Sequence, residues 1–245
     1  MAAFDFHLVG AGCGGTSLLA GLLDAHPELE VGFELFAYSH LMALDQTSAD
    51  GQGIDLLQRV HSYLSACVQQ AEHSAKPFWG NKLTTEQIAR VSSRVGEDVF
   101  KDLDVFDVFF EECCEYKPVV FILRDGRTCI ASKMRRGGHG FESAALRWSY
   151  SVRMMIYLTQ QHPRAFCLKY EDLVRDPFSV LAAVCKFLSV PFVDQMQVGT
   201  SNSKMHQRYR REGFDASCLQ LPEFSADCIA LIENDLKACG YLVSL

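Results

Sequence analysis

Apolar positions along the chain alternate between short runs and helical stripes. Residues 4–10 (FDFHLVG) form a brief apolar run ending in glycine, and a Leu- and Ala-rich stretch follows from Thr16 to Ala25. Between 54 and 71, Ile54, Leu57, Val60, Leu64, Cys67, Val68 and Ala71 recur at helical spacing, which predicts an amphipathic helix. VVFIL (119–123), behind Pro118, is apolar throughout, as a strand buried on both faces should be. A short basic helix and a longer one over 141–161, closed by Pro163, come next, and AFCLK (165–169) is a third strand candidate. Pro177 suits the first turn of a helix over 177–189, and a last helix runs from Ser225 to a capping Gly240. Strands separated by helices predict a three-layer α/β fold, a central parallel sheet with helices on both faces. No repeat, low-complexity stretch or linker interrupts the pattern, so residues 1–245 read as one domain. Segment 192–224 is the least regular and reads as a loop over the sheet edge.

Charge changes this picture. The chain carries 23 Lys+Arg against 30 Asp+Glu, a net −7, which argues against a generic nucleic-acid binder. The average hides two reversals. Residues 124–136 hold Arg124, Arg127, Lys133, Arg135 and Arg136 with one acid, Asp125, and residues 204–211 hold Lys204, Arg208, Arg210 and Arg211 with none. Such clusters are either solvated helix faces or anion sites. No apolar run approaches the ~18 residues that span a bilayer, and the first residues lack the pattern of a signal peptide. The ten cysteines include no CxxC pair and no zinc spacing, so no metal is expected. Cys67, Cys129, Cys167 and Cys185 read as core thiols, adjacent Cys113 and Cys114 as a helix coincidence, and the whole as a reduced cytoplasmic protein.

The candidate chemistry begins at GAGCGGTS (10–17). Gly10, Gly12 and Gly15 satisfy GxGxxG, while Gly10, Gly15, Thr16 and Ser17 fit a phosphate-binding loop whose lysine has become Thr16. Both patterns work alike: backbone N–H groups of residues such as Gly12, Cys13, Gly14 and Gly15 approach an anion at a helix N-terminus. The alternative is glycines that merely permit tight strand–helix packing. Glu30 and Glu34 stand near the place of a ribose-binding acid, but DAHPELEVGFE does not read as a strand ending in an acid.

LVGAGCGGTSLLAGLLDAHPELEVGFE resembles the start of sulfotransferases that use 3′-phosphoadenosine 5′-phosphosulfate (PAPS), and is most similar to their protein-tyrosine and carbohydrate type. VVFILRDGRTCIASKMRR (119–136) resembles the family's second signature, WGNKL (79–83) its lysine element, and FCLKYEDLVRDPFSVLAAVCKFLSVPF (166–192) its third strand–loop–helix piece. The four pieces lie in family order. The resemblance implies a sheet like that of P-loop NTPases and transfer of a sulfuryl group from PAPS, leaving 3′-phosphoadenosine 5′-phosphate (PAP), without a metal. It implies Arg124 and Ser132 as ligands of the 3′-phosphate, Arg136 as a further basic contact, Tyr170 near the nucleotide, Glu34 as general base, and Lys82 against the leaving phosphate. Lys204 corresponds to a late loop lysine that closes over the 3′-phosphate. For Glu34 the alternative is a solvated or salt-bridged glutamate, and for Lys82 an ordinary surface lysine after a turn, although Trp79, Gly80 and Asn81 favour a shaped loop. Asp125 and Arg127 could pair with each other, His26 suits a structural cap, and Trp148 suits the core or the acceptor wall.

One departure stands out. The family usually carries Arg or Lys where this chain has Cys13, which removes about one charge-assisted hydrogen bond, on the order of 1.5–3 kcal/mol. Lys82 or a residue near Arg135 could compensate. The acceptor is expected to be a hydroxyl, less readily an amine, of a small molecule, a glycan or a tyrosine. A homodimer is allowed, and neither nucleic acid nor membrane is expected as partner. Rival readings are a P-loop kinase, a non-catalytic nucleotide-binding relative, and a Rossmann oxidoreductase.

Overall fold

In the computed structural model the described residues are 3–42, 56–113 and 115–241, without the side chains of Ala3, Glu112 and Cys113. Five parallel strands form one sheet in the order β2-β3-β1-β4-β5: β1 (Ala3–Gly10), β2 (Leu29–Phe33), β3 (Phe78–Thr84), β4 (Val119–Leu123) and β5 (Ala165–Lys169). The helices are α1 (Thr16–Asp24), α2 (Leu56–Glu72), α3 (Thr85–Ala89), α4 (Asp104–Phe106), α5 (Gly126–Gly137), α6 (Phe141–Gln161), α7 (Tyr170–Arg175), α8 (Pro177–Phe187) and α9 (Ala226–Ala238). Among the described residues no helix is long and apolar enough to cross a membrane.

The strand period of two, shifted once in β1 by an irregularity between Phe4 and Phe6, divides the core. Phe4 and Val9 of β1 and Val119, Phe121 and Leu123 of β4 pack on one side with α2 and α6. Phe6 and Leu8, with Val120 and Ile122, pack on the other side with α1 and α8. Every β4 residue is buried, as its unbroken apolar run requires. The three-layer α/β expectation therefore holds.

Two strands lie outside the three expected ones. β3 contains Asn81 and Lys82, which made 79–83 read as a loop, yet both are buried in the sheet. β2 contains Glu30 within LEVGF. The expected helix over 54–71 is α2; its Ile54 lies outside the described residues, as does the Cys113–Cys114 pairing, because Cys114 is not described. Segment 192–224 folds into short turns, Asp194–Ser201, Gln207–Tyr209 and Ala216–Leu219. The first turn docks on α1 where Gly21 and Gly199 meet backbone to backbone, leaving no room for a Cβ on either.

The register sets up the site. Gly10 stands beside Thr84 on one flank and Ile122 on the other, and Phe33 stands beside Lys82. The loops after β1, β2, β3 and β4 thus open at one end of the sheet. The connection from β1 runs to one side and that from β4 to the other, so the crevice outside these neighbours is the topological switch point where α/β sheets bind ligands.

Candidate functional site

A cavity of about 620 Å³ occupies that crevice, within the range of small-molecule sites. Its floor is the turn between β1 and α1. Cys13 takes a left-handed backbone (φ 66°), as does Gly15 (φ 97°) at the N-cap of α1. A side chain at Gly15 would collide with the Tyr170 ring, so this glycine is required by both angle and space. Gly12, Cys13, Gly15, Thr16 and Ser17 line the cavity, and Gly14 closes the turn by donating its N–H to the Ala11 carbonyl at 2.8 Å. No side chain caps α1, so its N-terminal donors face the crevice.

Arg124 leaves the end of β4 and is nearly buried. Its Nε donates to Thr128 Oγ1 (2.9 Å), Nη1 to the Cys13 carbonyl (3.3 Å) and Nη2 to the Cys218 carbonyl (2.7 Å), and the guanidinium lies 4.7 Å from the Tyr170 ring centroid. The Trp148 indole donates to the Arg124 carbonyl at 3.0 Å, which makes this buried tryptophan a core support. Ser132, eight residues on in α5, is 1% exposed, and its Oγ has no hydrogen-bond partner. An orphan buried hydroxyl beside an arginine at a cavity wall has the form of a ligand contact awaiting its acceptor. Burial raises the Tyr170 phenol above its ordinary range, so it stays a neutral donor, and it sits 3.0 Å from Cys218 Sγ. Asp125 and Arg127 pair with each other at 2.7 Å while Asp125 caps α5.

Across the cavity, Glu34 follows β2 with φ 61°, and its N–H donates to the Lys82 carbonyl at 2.9 Å. One carboxylate oxygen accepts from Lys82 Nζ, the other from Gln87 Nε2 at 2.7 Å. Glu34 and Lys82, the proposed base and charge stabiliser, are thus brought together, and so are Arg124, Ser132, Arg136 and Tyr170 at the other wall. Lys204 is not brought to the cavity. Its Nζ binds Asp24 (2.8 Å), the Val31 carbonyl (3.3 Å) and Glu30 (3.7 Å). Asp24 ends α1, about 12 Å along the helix from Thr16 at 1.5 Å per residue, and its charge draws the lysine there. The residues of the second basic cluster that do line the cavity are Arg208 and Arg211. His26 is a structural cap, with Nε2 2.7 Å from the Pro191 carbonyl and Nδ1 accepting from the Glu28 N–H.

The cavity lining carries six basic side chains and two acidic ones. Glu34 pairs with Lys82, and Asp215 with Arg211. Among the described residues, Arg124, Arg135, Arg136 and Arg208 have no ion-pair partner, a surplus of four positive charges in a chain of net −7. Arg136 and Arg208 each lie 4.9 Å from the ring centroid of Tyr209, which ties the 207–209 turn to α5.

Beneath the glycine turn lies a second charged pair. The Gly12 N–H donates to Glu86 Oε2 at 2.9 Å, and Lys133 Nζ binds Glu86 Oε1. Burial pushes the Glu86 carboxyl up, but the Lys133 charge and the hydrogen bonds of Lys133 and Gly12 outweigh it and hold the carboxyl below its ordinary value. Cys129, also under this turn, donates to the Gly12 carbonyl, and burial pushes its thiol up to about 12, leaving it unreactive. Glu86 and Gln87 escaped the sequence reading, and Lys133 entered it only as a member of the basic cluster, without its partner. Thr84-x-x-Gln87 is a visible capping box, but no local signal joins Glu86 to Lys133, which stand 47 positions apart.

Comparison with known proteins agrees with this geometry. The model of the sulfotransferase family matches residues 116–194. Protein-tyrosine sulfotransferase A of Caenorhabditis elegans is 22% identical over 192 residues, 74% of this chain and 49% of that protein, so the chain spans about half the length of this relative. The sulfotransferase domain from the curacin biosynthetic pathway superposes with a TM-score of 0.64 at 17% identity, covering 99% of both chains. The sulfotransferase domain of the Synechococcus PCC 7002 olefin synthase gives 0.60 at 19% identity, over 100% of this chain and 96% of that one. Mouse sulfotransferase SULT7A1, solved with PAP, gives 0.52 at 12% identity, over 96% of this chain and 83% of that one. The resemblance to sulfotransferases and the P-loop-like α/β fold are both borne out.

Proposed function

We propose that this chain, folded as sulfotransferases are and matched by their family model over 116–194, moves a sulfuryl group from PAPS to an acceptor hydroxyl. The observation that carries the reading is one cavity floored by the glycine turn and walled by the orphan Ser132 hydroxyl and, among the described residues, four arginines without an ion-pair partner. PAPS has charge at two separated places, the 5′-phosphosulfate and the 3′-phosphate. The residues fit it: the orphan Ser132 hydroxyl with Arg124 and Arg136 at the wall, and the glycine turn before the N-terminus of α1, which no side chain caps, at the floor. A guanidinium fork and a buried hydroxyl donor suit phosphate oxygens. Lys204 drops out of this set, and Arg208 and Arg211 take the place proposed for it.

PAPS supplies an activated sulfuryl group joined to a phosphate that leaves readily. The protein's share is positioning and charge. Glu34 receives the acceptor proton on its carboxylate as the acceptor oxygen bonds to sulfur and the bond from sulfur to the bridging oxygen breaks. Lys82 Nζ, almost wholly buried, stabilises the negative charge that grows on the leaving oxygen. Cys13 brings no charge to the turn, and Lys133 beneath it is neutralised by Glu86, so Arg135 and the N-terminus of α1 carry the phosphosulfate end. The acceptor is a small molecule, a glycan or a tyrosine, and the setting is cytoplasmic.

Calorimetric titration with PAP, ATP and NAD in turn tests the reading. PAP is expected to bind and NAD not. ATP, which lacks a 3′-phosphate and meets Thr16 where a kinase would offer lysine, is expected to bind weakly or not at all. Binding of ATP or NAD without PAP would overturn it.

A further inference from the structure

We infer that Gln87 is a positioning residue that orients the Glu34 carboxylate through the hydrogen bond from Gln87 Nε2 to Glu34 Oε2. The inference rests on the reading of Glu34 as the base.

The Gln87 amide is held at both ends. Its Oε1 accepts from the Thr84 N–H at 2.8 Å, completing the capping box of α3, while Nε2 donates to Glu34 Oε2 at 2.7 Å. A flipped amide would set donor against donor at Thr84 and acceptor against acceptor at Glu34, so the two partners together dictate the orientation. The capping box thereby aims a donor at Glu34.

Glu34 needs such an anchor. Its side chain is 38% exposed and has three torsions to lose, and it springs from a turn with left-handed backbone at both Glu34 (φ 61°) and Phe36 (φ 65°). Asn81 Nδ2 pins the turn by donating to the Leu35 carbonyl at 2.8 Å, which fixes the backbone but not the carboxylate. Lys82 holds one oxygen, yet Lys82 lines the cavity and is shared with any anion that enters beside it. Gln87 is neutral and does not line the cavity, so its hold persists when the cavity fills. Two of the roughly four lone-pair positions of a carboxylate are then occupied, which leaves room for an acceptor O–H.

Gln87→Glu separates this role from helix capping. A glutamate at the third helical position completes the same box, but it sets a second carboxylate against Glu34. The fold should be retained with thermal unfolding lowered only modestly by the like-charge contact, and PAP affinity should stay within about twofold of the wild type because it does not involve this contact. Sulfuryl transfer from PAPS is followed with an acceptor on which Glu34→Gln loses turnover. There kcat should fall about 10- to 100-fold with KM for PAPS little changed, and the acid limb of the rate profile should move to higher pH, since like charges favour protonation. A readout independent of turnover is the Gln87 side-chain amide in ¹⁵N–¹H spectra, assigned as the pair of signals lost in Gln87→Glu. These signals should shift as carboxylates titrate in the wild type and stop doing so in Glu34→Gln. Signals that do not move, or that move equally in Glu34→Gln, overturn the inference. So does a wild-type rate and pH profile in Gln87→Glu when Glu34→Gln is inactive, with the base reading left intact. Full turnover in Glu34→Gln removes the base reading and this inference with it.

Discussion

Ser132 and Arg124 show how much one residue can disclose. A buried hydroxyl without a partner is a small liability to the folded chain, so Ser132→Ala should leave stability unchanged or raise it by up to about 1 kcal/mol. On the proposed function the same change should weaken PAP about tenfold, read by calorimetry, because the lost hydroxyl is the proposed donor to a phosphate oxygen. Arg124→Ala removes a charge-assisted contact of about 1.5–3 kcal/mol and should weaken PAP roughly 10- to 150-fold while abolishing preference for a 3′-phosphate. It should also loosen the 216–219 turn, because Arg124 holds the Cys218 carbonyl. Unchanged PAP binding in both variants would remove the phosphate assignment. These two residues were legible because strand-end arginine and helical serine lie eight positions apart in one short segment. Lys204 was misplaced because a basic cluster advertises its charge but not its partner, and Asp24 outcompeted the cavity for it.

At the scale of elements, α3 and α5 are joined under the glycine turn by Glu86 and Lys133, and the turn is joined to them by the Gly12 N–H. Breaking such a pair from one side strands a buried charge, so Lys133→Met should cost about 3–5 kcal/mol in urea unfolding. The pH dependence follows from the directions of the shifts. Glu86 is depressed from its ordinary 4.5, so its contribution is present above that value and fades as pH falls through the folded-state value. For Lys133, burial pulls the ammonium down, but the charge and hydrogen bond of Glu86, with smaller contributions from Cys129 and Cys13, together outweigh it, so the group is raised from 10.5. Its contribution is present below 10.5 and fades as pH rises through the folded-state value. The stability gap between wild type and Glu86→Gln should therefore be flat near neutrality and shrink in acid below about 4.5. A gap that persists in acid would mean the pair does not brace the turn. β4 was legible because its five residues are apolar throughout, whereas β3 was not, because it buries Asn81 and Lys82, polar residues that break the apolar pattern of a strand.

For the whole molecule the decisive contrast is a net −7 chain around a cavity with four surplus cations. A bisphosphate held this way should bind more weakly as salt rises. The change should be several-fold in Kd between about 0.01 and about 0.1 M, where the Debye length falls from about 30 to about 10 Å. A salt-independent Kd would mean that the surplus arginines do not face the ligand. Periodicity and motif order were enough to determine a parallel three-layer fold, a glycine turn over a helix start and an arginine–serine pair, because each is written within one contiguous segment. The tertiary structure decided what those segments meet: Glu34 against Lys82 and Gln87, Glu86 beneath Gly12, Arg208 and Arg211 in the cavity, and Lys204 outside it. Those contacts join residues tens to more than a hundred positions apart, and only strand order and register, closing around β1, bring them within hydrogen-bonding distance.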